Sequence, residues 1–222
     1  MRFLVPTDGP AGWQRLLADP EMHWVTGRSA RTMAYAWEDS GGWPVEVAAA
    51  LATVPALRNL EPVYGFPEFK VPLPGGSRSS QTDLMVFATN GPQTATIAIE
   101  GKVDETFGDL VSVWLAKDPS PGKETRLDYL CDLLGIPRDA VHGIRYQLIH
   151  RTASARIEAD RNGSSVAALL VHSWGAEDDG FSDYEAFAAA LGVEVGIGRL
   201  GYSASGDVWL GWIKGNPKYL AS

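Results

Sequence analysis

The sequence predicts a mixed α/β fold, a single domain over residues 1–222, in which helices flank a central sheet. The first observation is composition, because 45% hydrophobic and 21% charged residues are close to the average for globular proteins. The second is the order of the patterns: helical spacing comes first, three strand-like runs follow, and helices then alternate with strands. The third is the even spread of glycine and proline, which marks no linker between domains.

Bulk charge and hydrophobic runs exclude several classes of protein. A formal net charge of −8 argues against a protein that coats nucleic acid non-specifically, since such binding depends on lysine and arginine. No run of roughly 18 apolar residues is present, so no transmembrane helix and no membrane partner are predicted. The N-terminus lacks the hydrophobic stretch of a signal peptide, which predicts a cytoplasmic protein. The single cysteine, Cys131, excludes an internal disulfide.

The first part of the chain is predicted to be helical. Residues 13–17 form a short amphipathic piece, and residues 29–37 place apolar side chains at helical spacing, with Ser29 as the N-cap. After a pair of glycines, an alanine-rich helix over residues 45–54 stops before Pro55. We therefore expect helices ahead of the first strand.

Three strands are predicted next, in an antiparallel meander. Residues 66–73 are interrupted by prolines, whereas residues 82–88 and 94–103 are rich in β-branched and apolar side chains. A short stretch with Asn90 and Gly91 separates the last two runs, and this dipeptide favours a hairpin turn.

The second half alternates between the two periodicities. Helices are predicted over residues 125–134 and 139–160, the latter being the longest in the chain. The nearly unbroken apolar run over residues 165–172 is typical of a strand that is buried on both faces. A short helix over residues 184–191 and one or two late strands within residues 193–213 complete the prediction.

Acidic and basic side chains meet on the last two strands of the meander. In a hairpin, Asp83 would lie near the far end of its strand, opposite Glu100 and Lys102. Neighbouring carboxylates repel each other, and Mg²⁺ or Mn²⁺ relieves this repulsion because such ions prefer hard oxygen ligands. A lysine beside them is placed to hold a water molecule or to stabilise negative charge on a phosphate.

This arrangement resembles the PD-(D/E)XK phosphodiesterase superfamily. Thr82-Asp83, a spacer and Glu100-Gly101-Lys102 lie in a strand-hairpin-strand unit that is followed by a long helix, and the resemblance covers about residues 29–172. Thr82 stands where the family's name has proline. The resemblance implies a restriction-endonuclease-like core of α-βββ-α-β order. It also implies a Mg²⁺- or Mn²⁺-dependent nuclease that cleaves DNA or RNA, with Asp83, Glu100 and Lys102 as catalytic residues and the two carboxylates as metal ligands.

The resemblance implies accessory groups as well. Many members carry a glutamate on the first core helix, for which Glu38 is the candidate and Glu46 the second choice. Some members place polar residues on the helix after the third core strand, where this chain has Gln147 and His150.

The helix predicted over residues 139–160 is the most basic stretch of an acidic chain. On it, Arg145 and Arg151 are candidates for contact with the phosphates of nucleic acid. The alternative is a solvated helix whose arginines pair with Glu158, Asp160 and neighbouring acids.

Two other interpretations of the acidic site stay open. Asp83, Glu100 and Lys102 can form an exposed ion pair at a strand edge, which contributes under about 1 kcal/mol to stability. Alternatively, a catalytically inactive nuclease-like fold can serve as a protein- or nucleic-acid-binding module, and the net charge of −8 makes this a serious competitor.

Overall fold

The computed structural model describes residues 1–3 and 7–222. Within these residues it contains one sheet of seven strands in the order β1-β2-β3-β4-β5-β7-β6. The strands are β1 (Arg2–Phe3), β2 (Glu61–Val71), β3 (Ser80–Thr89), β4 (Thr94–Lys102), β5 (Val166–Ser173), β6 (Leu200–Ser203) and β7 (Val208–Lys214). The helices are α1 (Pro10–Gln14), α2 (Pro20–His23), α3 (Ser29–Ser40), α4 (Val45–Ala52), α5 (Val111–Leu115), α6 (Pro121–Leu134), α7 (Tyr146–Asn162) and α8 (Phe181–Ala190). Short 3₁₀ turns lie at Arg138–Val141 and Pro217–Ala221.

The sheet is mixed, which confirms the predicted α/β class. Strands β2, β3 and β4 form the antiparallel meander, and β5 then pairs in parallel with β4. Every residue of β5 is buried, as its unbroken apolar sequence predicted. At the other edge of the sheet, β7 pairs in parallel with β5 and antiparallel with β6.

Helices cover both faces of the sheet, because neighbouring residues of the central strands point to opposite sides. Met85 and Ala98 pack into a core with α6, α7 and α8. Leu84 and Ile99 pack into a second core with α3 and α4. Within the described residues, no helix has the length and the apolar character needed to cross a bilayer.

The helix predicted over residues 139–160 is wrong in its first part. A 3₁₀ turn occupies Arg138–Val141, and α7 begins only at Tyr146. The intervening backbone bonds elsewhere: the Ile144 carbonyl accepts from the Val111 amide, and the Tyr146 amide donates to the Asp109 carbonyl. These long-range bonds replace the helical bonds that the apolar spacing predicted.

The start of β2 and the N-cap of α3 also differ from the prediction. Strand β2 begins at Glu61, five residues before the predicted start, although it contains Pro62 and Pro67. Proline is tolerated there because, among the residues that the structure describes, β1 pairs with β2 only at Tyr64 and Gly65, so most of that edge needs no donor. The N-cap of α3 is Arg28, not the predicted Ser29.

The pairing between strands β3 and β4 stops before either strand ends. Among the described residues, their pairing stops at Leu84 and Ile99. Strand β3 continues along β2 as far as Ser80, opposite Val71, and β4 continues along β5 to Lys102. A gap therefore opens in the sheet, bounded by two strands that remain supported on their outer sides.

Candidate active site

A cleft of about 480 Å³ lies at this gap between β3 and β4. Its polar lining comprises Arg28, Glu68, Gln81, Asp83, Glu100, Lys102, Glu105, Gln147 and Arg151. Leu17, Ala18, Met22 and His23 supply a less polar part of the wall. The structure thus brings Asp83, Glu100 and Lys102 to one cleft.

The strand register places the two predicted carboxylates together. Met85 is paired near Ala98, and both side chains face α7, so two positions further along Asp83 and Glu100 share that face. The Oδ2 atom of Asp83 accepts a 2.8 Å hydrogen bond from the Gly101 amide. A side chain thus bonds the backbone of β4 just beyond the end of the ladder.

Glu100 lies between two cations. Its Oε1 accepts from Lys102 Nζ at 2.9 Å and its Oε2 from Arg151 Nε at 2.8 Å. Glu100 is 2%, Lys102 4% and Arg151 9% exposed. Burial raises the pKa of Glu100, but attraction and hydrogen bonds from Lys102 and Arg151 outweigh burial and hold it below its usual value. The group is therefore a buried ion cluster and not the exposed pair that was the alternative.

The negative charge of Asp83 is less well compensated by neighbouring cations than that of Glu100. Burial, followed by repulsion from Glu100, raises the pKa of Asp83 to about 7. Burial, followed by repulsion from Asp83, raises the pKa of Glu68 to about 8. Three carboxylates thus share two buried cations, Lys102 and Arg151, and the two carboxylates with raised pKa values lie on the β2–β3 side of the cleft.

Glu68 is a site residue that the sequence interpretation missed. Pro67 pairs with Leu84 and Phe69 with Thr82, so Glu68 lies across from Asp83. The φ angle of Glu68 is 54°, a left-handed conformation that is uncommon in residues other than glycine. The one available signal was an acidic residue between two phenylalanines in a predicted strand, whereas the unusual backbone is invisible in sequence.

Helix α7 supplies the predicted accessory residues in two different ways. The Oε1 atom of Gln147 accepts a 3.2 Å hydrogen bond from Lys102 Nζ, so this side chain lines the cleft and holds the lysine. His150 lies behind the cleft, with Nδ1 at 2.8 Å from Ser80 Oγ. Burial, together with Arg151, lowers the pKa of His150 well below its usual value, so its ring is neutral.

The structure does not bring the glutamates of the first helices to the cleft. Only the N-terminal end of α3, at Ser29 and Ala30, lines it. Glu38 lies nine residues further along the helix, roughly 13 Å away at 1.5 Å per residue, and accepts from the Trp13 indole at 2.9 Å. Glu46 pairs instead with His172 at 3.0 Å.

Glu105 has a structural role at the edge of the cleft. Its carboxylate accepts from the amide of Ser29 at 2.9 Å and from the amide of Val103 at 2.8 Å. Burial raises the pKa of Glu105, but these backbone hydrogen bonds outweigh it and lower the pKa overall. The side chain thus caps α3 from a distant part of the chain, in place of Ser29.

Most arginines of the basic stretch are paired with acids outside the cleft. Arg145 donates to Asp183 at 2.9 Å and to the Gly108 carbonyl at 2.7 Å. Arg156 contacts Asp160, and Arg161 contacts Glu158. These contacts match the solvated-helix alternative. Of the two predicted phosphate contacts, Arg151 lines the cleft and Arg145 does not.

The loop of residues 72–79, which leads into β3, is fixed from below. Arg126 donates to the carbonyl of Pro74 at 2.8 Å, to that of Gly76 at 3.3 Å and to that of Leu73 at 3.4 Å. Gly75, at φ 78°, lies so close to Gly122 of α6 that a Cβ there would overlap the Gly122 carbonyl. These contacts hold the loop in place next to α6.

The donor chemistry of the cleft suits a hard divalent cation on the side of Asp83 and Glu68. These half-buried carboxylates have raised pKa values, so an ion would relieve repulsion that the protein's own cations leave unrelieved. Glu100 is already satisfied by Lys102 and Arg151. Within residues 1–3 and 7–222, no group of three His, Cys, Asp or Glu side chains stands ready to hold a metal.

Fold and site together define a mixed α/β protein with a buried cluster of acids and cations at a split in its sheet. The chain belongs to the family described as a domain of unknown function (DUF6946), whose model matches residues 6–217. Comparison with the curated proteins and with the solved structures found no match.

Proposed function

We propose that the protein is a metal-dependent phosphodiesterase of the PD-(D/E)XK type, with a restriction-endonuclease-like core, that cleaves nucleic acid. The observation that carries the proposal is the meeting of Asp83, Glu100 and Lys102 in one cleft at the split between β3 and β4. Helix α3, the meander, the α6–α7 pair and the parallel β5 follow the α-βββ-α-β order that the resemblance implies.

In the proposed site, Mg²⁺ or Mn²⁺ is held by Asp83 together with Glu68 or Glu100. The raised pKa values of Asp83 and Glu68 support this position, because both carboxylates lack compensating positive charge. When bound, such an ion activates water and polarises a phosphodiester.

The protein's own residues have separate tasks in this proposal. Lys102 Nζ stabilises negative charge that develops on the phosphate, and Gln147 orients that ammonium group through its 3.2 Å hydrogen bond. Arg151 holds Glu100 in place through Nε and neutralises it. Because Glu100, Lys102 and Arg151 are buried, bulk water is excluded and their interactions are strengthened.

Calorimetric titration with Mg²⁺ and Mn²⁺ tests this proposal directly. We expect the unmodified protein and Asp128→Asn to bind the ions, because Asp128 is an exposed partner of Arg138 and does not line the cleft. Asp83→Asn should lose binding at least about tenfold, since it removes a charged oxygen ligand. Equal binding by all three proteins would overturn the assignment.

A second candidate function is a protein- or nucleic-acid-binding module without catalysis. One observation favours it: both oxygens of Glu100 are already engaged by Lys102 and Arg151, so this carboxylate is compensated without a metal. The Lys102→Ala variant separates the two functions. Cleavage of nucleic acid that is lost in Lys102→Ala would support the catalytic function, and cleavage that is unchanged would contradict the catalytic role of Lys102. Binding of nucleic acid with no cleavage by either protein would support the binding module.

A further inference from the structure

The cleft has a wall that phosphodiester chemistry does not require. Leu17, Met22 and His23 line it beside the acid and cation cluster. Met22 is 67% exposed, which is high for a large apolar side chain without a partner. A phosphate backbone is held by cations and amides, whereas a thioether and an aromatic ring suit the face of a base. This wall therefore points to a substrate with an accessible base.

The size of the cleft limits how much of a nucleic acid can enter. A volume of about 480 Å³ falls within the range of small-molecule pockets. The side chains proposed to act on the phosphodiester lie deep, since Glu100 is 2% and Lys102 4% exposed. A nucleotide in a duplex must leave its stack to reach that depth, and unpairing it has a free-energy cost that an unpaired nucleotide does not have.

The charge of the cleft limits the number of phosphates. Three cationic side chains line it in the described part of the chain, Arg28, Lys102 and Arg151. Four carboxylates line it too, and each of the three cations already contacts an acid. This balance suits one or two phosphate groups and disfavours a long polyanion lying across the opening.

We propose that the cleft takes one unpaired nucleotide at a time, so that the substrate is single-stranded nucleic acid. The phosphate lies at Lys102 and Arg151, and the base lies against Met22 and His23. This inference rests on the phosphodiesterase function proposed above and narrows its substrate.

A hairpin oligonucleotide with a single-stranded tail tests the inference. With Mg²⁺ or Mn²⁺, we expect cleavage to map to the tail, at least about 100-fold faster than in the paired stem, because stem nucleotides must first unpair. The small diester bis(p-nitrophenyl) phosphate serves as a second substrate. If the protein hydrolyses the diester but cuts stem and tail at equal rates, single-strand selectivity is wrong and the phosphodiesterase function stands. If it neither binds metal nor hydrolyses either substrate, the function and the inference fall together.

A pair of surface variants tests the apolar wall. Met22→Glu places a charged carboxylate, which repels the substrate's phosphates, where the neutral base would lie, and we expect kcat/KM for the single-stranded tail to fall about tenfold or more. Val113→Glu is the matched control, because Val113 is 59% exposed and does not line the cleft. Equal rates for the two variants would show that the wall does not contact the substrate.

Discussion

Asp83 is a carboxylate whose surroundings oppose its ionisation. Burial and the neighbouring Glu100 raise its pKa to about 7, from 3.8 for the unperturbed group. Between these two pH values, the folded protein keeps a proton that the unfolded chain releases. The contribution of Asp83 to stability is therefore fully present below about pH 4 and is lost as the pH rises through about 7.

The first prediction concerns this pH dependence. Asp83→Asn removes the ionisable group and keeps the shape of the side chain. When the pH is raised from 5 to 8, we expect the free energy of unfolding of the unmodified protein to fall relative to that of Asp83→Asn. Urea titrations at several pH values measure the difference. Asp128→Asn should follow the unmodified protein, and parallel curves for all three would contradict the raised pKa.

At the level of single residues, strand alternation was enough to predict that Asp83, Glu100 and Lys102 meet. Their catalytic and metal-binding roles stay predictions. Arg151 was predicted as a phosphate contact, yet its partner in the structure is Glu100, 51 positions away. Glu68 was not predicted at all, because its place in the site depends on a left-handed backbone angle of 54° inside a strand.

Among the larger elements, the loop of residues 72–79 is the one whose rigidity matters most for the site, because it leads directly into β3. Gly75 combines a left-handed φ of 78° with close contact to Gly122. Gly91 in the β3–β4 turn also has a positive φ, 94°, but a Cβ there would meet nothing within 4 Å. Both glycines therefore have a backbone conformation that other residues rarely adopt, but only Gly75 is in close contact with another element.

The second prediction compares these glycines. Gly91→Ala should lower the free energy of unfolding by about 1 kcal/mol, from backbone strain alone. Gly75→Ala should lower it by at least about 2 kcal/mol, because the new methyl group also displaces the loop from α6. Urea unfolding of both variants measures this. Equal losses would mean that the loop moves aside without resistance.

Predictions of elements succeeded where the pattern is local. The runs that became β3, β4 and β5 were recognised because their apolar and β-branched residues are contiguous. The start of α7 was not predicted correctly, because backbone amides and carbonyls near Ile144 form hydrogen bonds with the segment around Asp109 and Val111. Similarly, the cap of α3 comes from Glu105, a residue 76 positions away from Ser29.

For the whole molecule, the distribution of charge bears on how nucleic acid would bind. The net charge is −8, and the arginines of α7 outside the cleft are paired with acids. Only a small positive area is therefore available in the proposed site, at the bottom of the cleft.

The third prediction is a shallow salt dependence of binding. Three cations line the cleft, so the logarithm of the binding constant for a single strand should fall with the logarithm of salt concentration at a slope of about −2 or shallower. Fluorescence anisotropy without divalent metal measures this slope. Arg156→Ala, outside the cleft, should leave the slope unchanged. A slope near about −6 would place the nucleic acid on another surface.

The fold class followed from the order of helical and strand patterns along the whole chain. The position of β7 in the sheet did not follow from these patterns, since β7 lies between β5 and β6 and so departs from chain order. Residues 193–213 carry apolar side chains and glycines that fit one late strand or two. Which of them adjoins β5 depends on the packing of Trp212 and Leu210 into the core shared with α7 and α8.

Because β3 and β4 separate beyond Leu84 and Ile99, this end of the sheet is divided into two halves, one with β3 at its edge and the other with β4. Leu84 and Ile99 form the pivot, and both are fully buried against α3 and α4. Rotation about this pivot would change the separation of Asp83 and Glu100 while every ladder bond within each half is kept. Met33 packs against Gly101 from the opposite face of the sheet, so we expect a change of side-chain volume at Met33 to alter the spacing of the two carboxylates.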